Sequence, residues 1–209
     1  MQMSKTYLMQ QTIIAAALLI ASGSASAGLS FVATDTATRT EAFNIGGFAT
    51  LPVGSSLNVG YLDFAGPGSQ MITYTFLGQE SGYNNKFYDV LGGNALLESD
   101  PIGTSVSSIV SISGPLSFKF EGNVGKFAVN GGPWDKNTSI GLIGTNMQVG
   151  STVYDFVIGY DDSAGKKYLG DWDDFVIGVS AVPEPETYAM FMIGLGLIGF
   201  SVRSQKRSF

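Results

Sequence analysis

The chain has 209 residues, 44% hydrophobic and 13% charged, with a formal net charge of −6. That is apolar content enough to bury a core, and an acidic balance that repels phosphate backbones, so no nucleic-acid partner is expected. There is no Cys and no His, which removes disulfides, thiolate nucleophiles, Cys- or His-based metal sites and the usual general base near neutral pH.

At the N-terminus Lys5 precedes an apolar run, Ile13 to Ile20, followed by small residues ending Ala25-Ser26-Ala27. A basic start, a short apolar stretch and a small-residue site read as a cleavable signal peptide over residues 1–27. Ala25 and Ala27 are the small residues of the site, cleavage follows Ala27, and Gly28 becomes the first mature residue.

From 28 to 181 apolar residues recur every second position, as half-buried strands require. Leu57, Val59 and Tyr61 begin the pattern, and Ile72, Tyr74 and Phe76 repeat it against Met71, Thr73 and Thr75. Further segments run from Val106 to Ile112, Leu116 to Glu121, Val124 to Val129, Val153 to Tyr160 and Phe175 to Val179. Gly/Pro clusters such as Gly66-Pro67-Gly68 and Gly131-Gly132-Pro133 separate them. The expectation is an all-β single domain, an antiparallel β-sandwich or jelly-roll-like fold, with no long amphipathic helix.

This segment carries fifteen acids and seven bases, a charge of −8. Asp161, Asp162, Asp171, Asp173 and Asp174 crowd the connection between two apolar strands. Oxygen ligands at alternate positions suit Ca²⁺, and a divalent cation relieves the repulsion of packed carboxylates. The competing reading is a solvated acidic loop, partly neutralised by Lys166 and Lys167, that blunts strand edges; the EF-hand pattern is not met. Two carboxylates flanking a sugar bond would still permit glycan hydrolysis without His, with Glu41, Glu80, Glu98 and Glu121 as candidates. Nothing in the sequence pairs any two of them. Tyr83, Tyr88, Trp134 and Trp172 lie in turn-rich stretches from which exposed rings could stack on sugars, although aromatic side chains more often fill cores.

After Val182 comes Pro183-Glu184-Pro185, an extended step because each proline fixes its own φ and disfavours helix in the residue before it. An apolar, glycine-rich stretch follows, predicting a membrane helix over 188–202, closed by Arg203, Lys206 and Arg207. The letters Gly194 to Gly199 match a dinucleotide-binding glycine pattern, but no βαβ unit surrounds them. The Pro-Glu-Pro step, short apolar helix and basic end together resemble the PEP-CTERM sorting signal, over residues 182–209. That resemblance implies export in a Gram-negative bacterium and recognition by a membrane transpeptidase, exosortase. Pro183, Glu184 and Pro185 would be the recognition element, and Arg203, Lys206 and Arg207 the retention signal. It further implies an inner-membrane-anchored precursor, delivered by the export machinery and then sorted to the cell surface, outer membrane or extracellular matrix. There it would be a non-enzymatic protein associated with exopolysaccharide and biofilm. The alternatives are a secreted carboxylate-dependent glycan-active enzyme and a Ca²⁺-dependent carbohydrate-binding module.

Overall fold

A computed structural model describes residues 28–39, 53–66, 68–122, 126–133, 138–162, 171–183 and 192–198. The signal-peptide segment 1–27, Glu41, Trp134, Lys166 and Lys167 lie outside them. The strands are β1 (Leu29–Thr38), β2 (Ser56–Phe64), β3 (Gln70–Gly78), β4 (Lys86–Asp89), β5 (Asn94–Leu97) and β6 (Ser105–Val110). They continue with β7 (Gly114–Pro115), β8 (Phe118–Glu121), β9 (Phe127–Val129), β10 (Ser139–Val149), β11 (Thr152–Asp161) and β12 (Phe175–Pro183). All pairings are antiparallel, in one sheet of order β1-β2-β10-β11-β12-β3-β6, with β7 added beside β2, and a smaller sheet of order β5-β4-β8-β9.

The two sheets meet across one aromatic core. Phe87, Leu96, Phe118, Phe120 and Ala128 of the small sheet pack against Leu62, Ile72, Tyr74, Phe76, Ile158, Tyr160, Phe175 and Ile177 of the large one. Phe120 stacks on Tyr160 with centroids 5.2 Å apart, and Tyr74 meets Phe87 at 4.8 Å. Asn130 fastens the layers at one end. Its Nδ2 donates to the carbonyls of Leu62 and Leu116, at 2.7 and 2.8 Å, and its Oδ1 accepts from the Leu62 N–H at 2.8 Å.

The large sheet is apolar on its other face as well. A second cluster gathers Leu57, Val59, Leu77, Ile143, Tyr154, Val157, Trp172 and Val176. Neighbours in sequence therefore serve different clusters: Val157 and Ile158 part company, as do Val176 and Ile177. This explains why β11 and β12 read as continuous apolar runs where β8 alternates.

Trp172 is wholly buried, not an exposed ring available to a ligand. It covers the register pair Gly141 and Gly159 of β10 and β11. A Cβ on Gly141 would lie 2.6 Å from the indole Cδ2; one on Gly159 would strike the Trp172 carbonyl oxygen and lie 2.8 Å from its Cβ. The indole Nε1–H donates to Ser139 Oγ at 2.9 Å, which satisfies the ring's one polar atom. Trp172→Ala is expected to cost about 3–5 kcal/mol through the cavity it leaves. Gly159→Ala should cost about 1–3 kcal/mol by overpacking. Gly82→Ala should be nearly neutral, because nothing lies within 4 Å of the added carbon. Denaturant midpoints of the three variants check this, and equal loss in the two glycine variants would contradict the close packing of Trp172 on Gly159.

Candidate functional site

The connection from β11 to β12 carries the acids that the sequence singles out, and the structure arranges them as two neighbouring groups. In the first, the chain entering β12 turns back on the end of β11, so that the Asp162 N–H donates to Asp174 Oδ2 at 2.7 Å. The Asp162 carboxylate accepts from Ser81 Oγ at 2.8 Å and from Asn85 Nδ2 at 2.6 Å, both on the β3–β4 connection. The backbone N–H of Asn85 donates in turn to Glu98 Oε1 at 2.7 Å. Asp161, Asp162 and Asp174 are all buried.

Burial and then the charge of Asp162 push the Asp174 carboxyl up to about 9, with Asp171 and Asp161 adding to the effect and the bond from the Asp162 N–H opposing it. Asp174 is therefore neutral at physiological pH, the usual escape for an acid that cannot be hydrated. Burial also raises Glu98, against the stabilising bond from Asn85, and raises the Tyr160 phenol, with Asp162, Asp174 and Asp161 reinforcing the shift.

In the second group, carboxylate oxygens of Glu80, Asp171 and Asp173 lie within 4.8 Å of one another. The Glu80 N–H donates to the Asp173 carbonyl at 3.0 Å, which ties the end of β3 to this turn. Arg39, just beyond β1, is buried beside them. Burial lowers its guanidinium pKa, while the charges of Asp173 and Asp171 hold it up. A guanidinium does not deprotonate in a protein, so the group contains its own cation. Of the five aspartates expected to share one ion, Asp171 and Asp173 thus join Glu80, while Asp162 pairs with Asp174 next to Asp161. Arg39, just beyond β1, and Glu80, Ser81 and Asn85, on the β3–β4 connection, are distant in sequence from the aspartates, and no local spacing marked them as their neighbours.

Among the other candidates, Glu121 pairs with Lys119 at 2.7 Å on the partly exposed outer face of β8. Lys119 also lies over one face of the Tyr88 ring, 4.8 Å from its centroid. Tyr83 is half exposed.

The tail begins inside the sheet. β12 lies between β11 and β3, and its last pairs are Ala181 with Ile72, Val182 with Met71 and Pro183 with Gln70. A short helix occupies 192–198, with Met192, Ile193, Leu197 and Ile198 exposed. Residues 181–207 match the PEP-CTERM protein-sorting motif. The first three residues of the sorting motif are thus also the last three of β12, where the strand is paired with β3 alone, since its pairing with β11 ends at Val179. Glu184, Pro185, Arg203, Lys206 and Arg207 lie outside the described residues, as does most of the span expected over 188–202. Among the described residues no helix is long and apolar enough to cross a membrane. Gly194 and Gly196 sit within the 192–198 helix, not in a strand-to-helix turn that would bind a dinucleotide. No curated protein and no solved structure matches the chain.

The raised Asp174 carboxyl has a defined consequence for stability. The folded chain holds this proton up to about 9, and the unfolded chain releases it near 3.8. Folding therefore takes up a proton between those limits, so stability is greatest at the acid end and falls as pH rises, by at most about 1.4 kcal/mol per pH unit. Asp174→Asn, which keeps the acceptor for the Asp162 N–H, should flatten this slope and raise the unfolding midpoint at pH 8 relative to wild type. Midpoints at pH 5 and pH 8 decide it; a variant weakened equally at both would mean that Asp174 is ionised in the folded chain.

Proposed function

We propose that the chain is an exported, non-enzymatic surface protein whose β-domain is held at the membrane by its sorting tail and released by an exosortase-type transpeptidase. The observation that carries this reading is the sorting motif on residues 181–207. Its geometry supports the reading. Eight residues, 184–191, lie in sequence between Pro183 of β12 and Met192 of the described helix, a contour of about 30 Å at most. The Pro-Glu-Pro step thus begins on the last residue of β12 and precedes the apolar helix in sequence. Each proline disfavours helix in the residue before it, which suits a protease that reads extended peptide. Cleavage beyond Pro183 removes no residue of the sheet.

On this reading residues 1–27 direct export and are cut after Ala27. Pro183, Glu184 and Pro185 are recognised, and Arg203, Lys206 and Arg207 hold the precursor in the inner membrane. The mature domain then belongs to the cell surface or the exopolysaccharide matrix. The absence of His and Cys and the engagement of Glu98 and Glu121 by Asn85 and Lys119 support a binding or structural role over glycan hydrolysis.

Intact mass of the protein recovered from its own host tests the reading. The expected species begins at Gly28 and ends near Pro183, and Glu184→Gln or Pro185→Ala should leave the tail attached. A wild-type species that keeps Arg203 to Phe209 would replace sorting with plain anchoring.

A Ca²⁺-dependent carbohydrate-binding module is the competing reading, resting on Glu80, Asp171 and Asp173. Since Arg39 already lies among these acids, adding and chelating Ca²⁺ should leave the unfolding midpoint unchanged. A rise with Ca²⁺ that disappears in Asp171→Asn would establish the calcium module instead.

A further inference from the structure

The four outer strands of the two sheets are not protected alike. β1, at one end of the large sheet, has a register shift between Ala33 and Asp35 and carries the charge of Asp35. A bulge and a charge are two of the devices by which natural sheets prevent edge-to-edge pairing. In the small sheet β5 has four residues and β9 three, and short edges are a third device. β6, at the other end of the large sheet, has none of these. It spans six residues, Ser105–Val110, in unbroken register with β3, and among the described residues no strand pairs with its other side. No Asp, Glu, Lys or Arg occurs between Asp100 and Lys119.

The surface beside this edge is apolar. The register places Val182 beside Met71 and Met71 beside Ile109, one row across β12, β3 and β6 with relative exposures of 37%, 39% and 64%. Ile102 and Ile112, on either side of β6, are more exposed still. We propose that the β6 edge pairs antiparallel with the β6 edge of a second copy of this chain, joining two large sheets into one.

Charge selects this occupant. The domain carries −8, so two copies repel over most of their surfaces, and an uncharged strand is where they can approach closely. A basic partner would find no counter-charge on this edge, whereas a second copy meets the uncharged, apolar row with the same row. A strand edge is also self-complementary about a two-fold axis, because each copy offers the same row of N–H and C=O groups. Opposed residues of an antiparallel pair share a face. An axis at Ser108 therefore sets the inward Val106 against Val110 of the other copy, and the outward Ser107 against its Ile109. The row from Val182 through Ile109 then continues into its symmetry mate.

The test uses the full chain in detergent, by light scattering behind gel filtration across a dilution series. The expected result is a protein mass of twice 22.0 kDa that falls to the monomer on dilution. Ser107→Lys and Ile109→Lys, both on exposed side chains, should each abolish the dimer while leaving the thermal midpoint of the monomer unchanged. The equivalent change on β1, Thr36→Lys, should not affect it. A wild-type chain monomeric at every concentration would overturn the proposal. So would a dimer that survives both β6 variants, since it would then form through the 192–198 helix or another face. Binding of the β6 edge to neutral phosphatidylcholine vesicles in place of a second copy, lost in Ile109→Lys, would reassign the surface to lipid. None of these outcomes depends on how the tail is processed.

Discussion

Trp172 lying on a pair of glycines is the contact on which the rest of this domain depends. Gly141 and Gly159 face each other in the β10–β11 ladder, and their missing side chains leave a flat place of indole size. The ring fills it and is fixed in orientation by Ser139. Because Trp172 sits between Asp171 and Asp173, fixing the ring also fixes the directions in which the acids leave the chain. Asp173 and Asp174 are carried into the interior, and β12 starts at Phe175 already aligned beside Tyr160. An apolar anchor thus places a polar cluster that would not assemble by its own charges, which repel.

Those charges are handled in two ways, and both follow from the cost of burying an ion. Asp171 and Asp173 have a guanidinium nearby from Arg39. Asp174 has instead the charge of Asp162 beside it, and it retains its proton. The Asp162 carboxylate in turn accepts hydrogen bonds from Ser81 and Asn85, which satisfy its buried oxygens. The chain has no Cys, so no disulfide closes the long β11–β12 connection. The hydrogen bond from Asp162 N–H to Asp174 closes it non-covalently, at a strength that varies with pH as a disulfide would not.

The strands most legible in the sequence were those with one wet face. β8 alternates Phe118 and Phe120 with Lys119 and Glu121, and β3 shows the same period over its first half. β10 has no such period. Ser139, Ile140 and Gly141 are all buried, because one face meets the aromatic core and the other meets Trp172, so the segment reads as neither strand nor helix. β4 and β5, four residues each, are too short to show a period. The site divides in the same way. Asp171 and Asp173 were legible because they alternate around a turn, whereas Glu80 and Arg39 reach them from the ends of β3 and β1. Trp172 was legible only as one of four rings that could be either exposed or core, because a turn-rich, acidic stretch is ordinarily wet while aromatic side chains more often fill cores. What decides for the core is the pair of glycines beneath the ring, and each of them alone is an ordinary residue in a strand.

The tail and the open edge are neighbours in the sheet, separated only by β3. This matters because a tether converts a search in three dimensions into one near a surface. With eight residues between β12 and the helix, a domain whose helix lies in a membrane stays within about 30 Å of it. Copies held in one membrane would therefore present their β6 edges in a common layer, at a local concentration that free domains do not reach. Release would then remove that local concentration, and a pairing that dissociates on dilution would be favoured in the tethered precursor over the released domain.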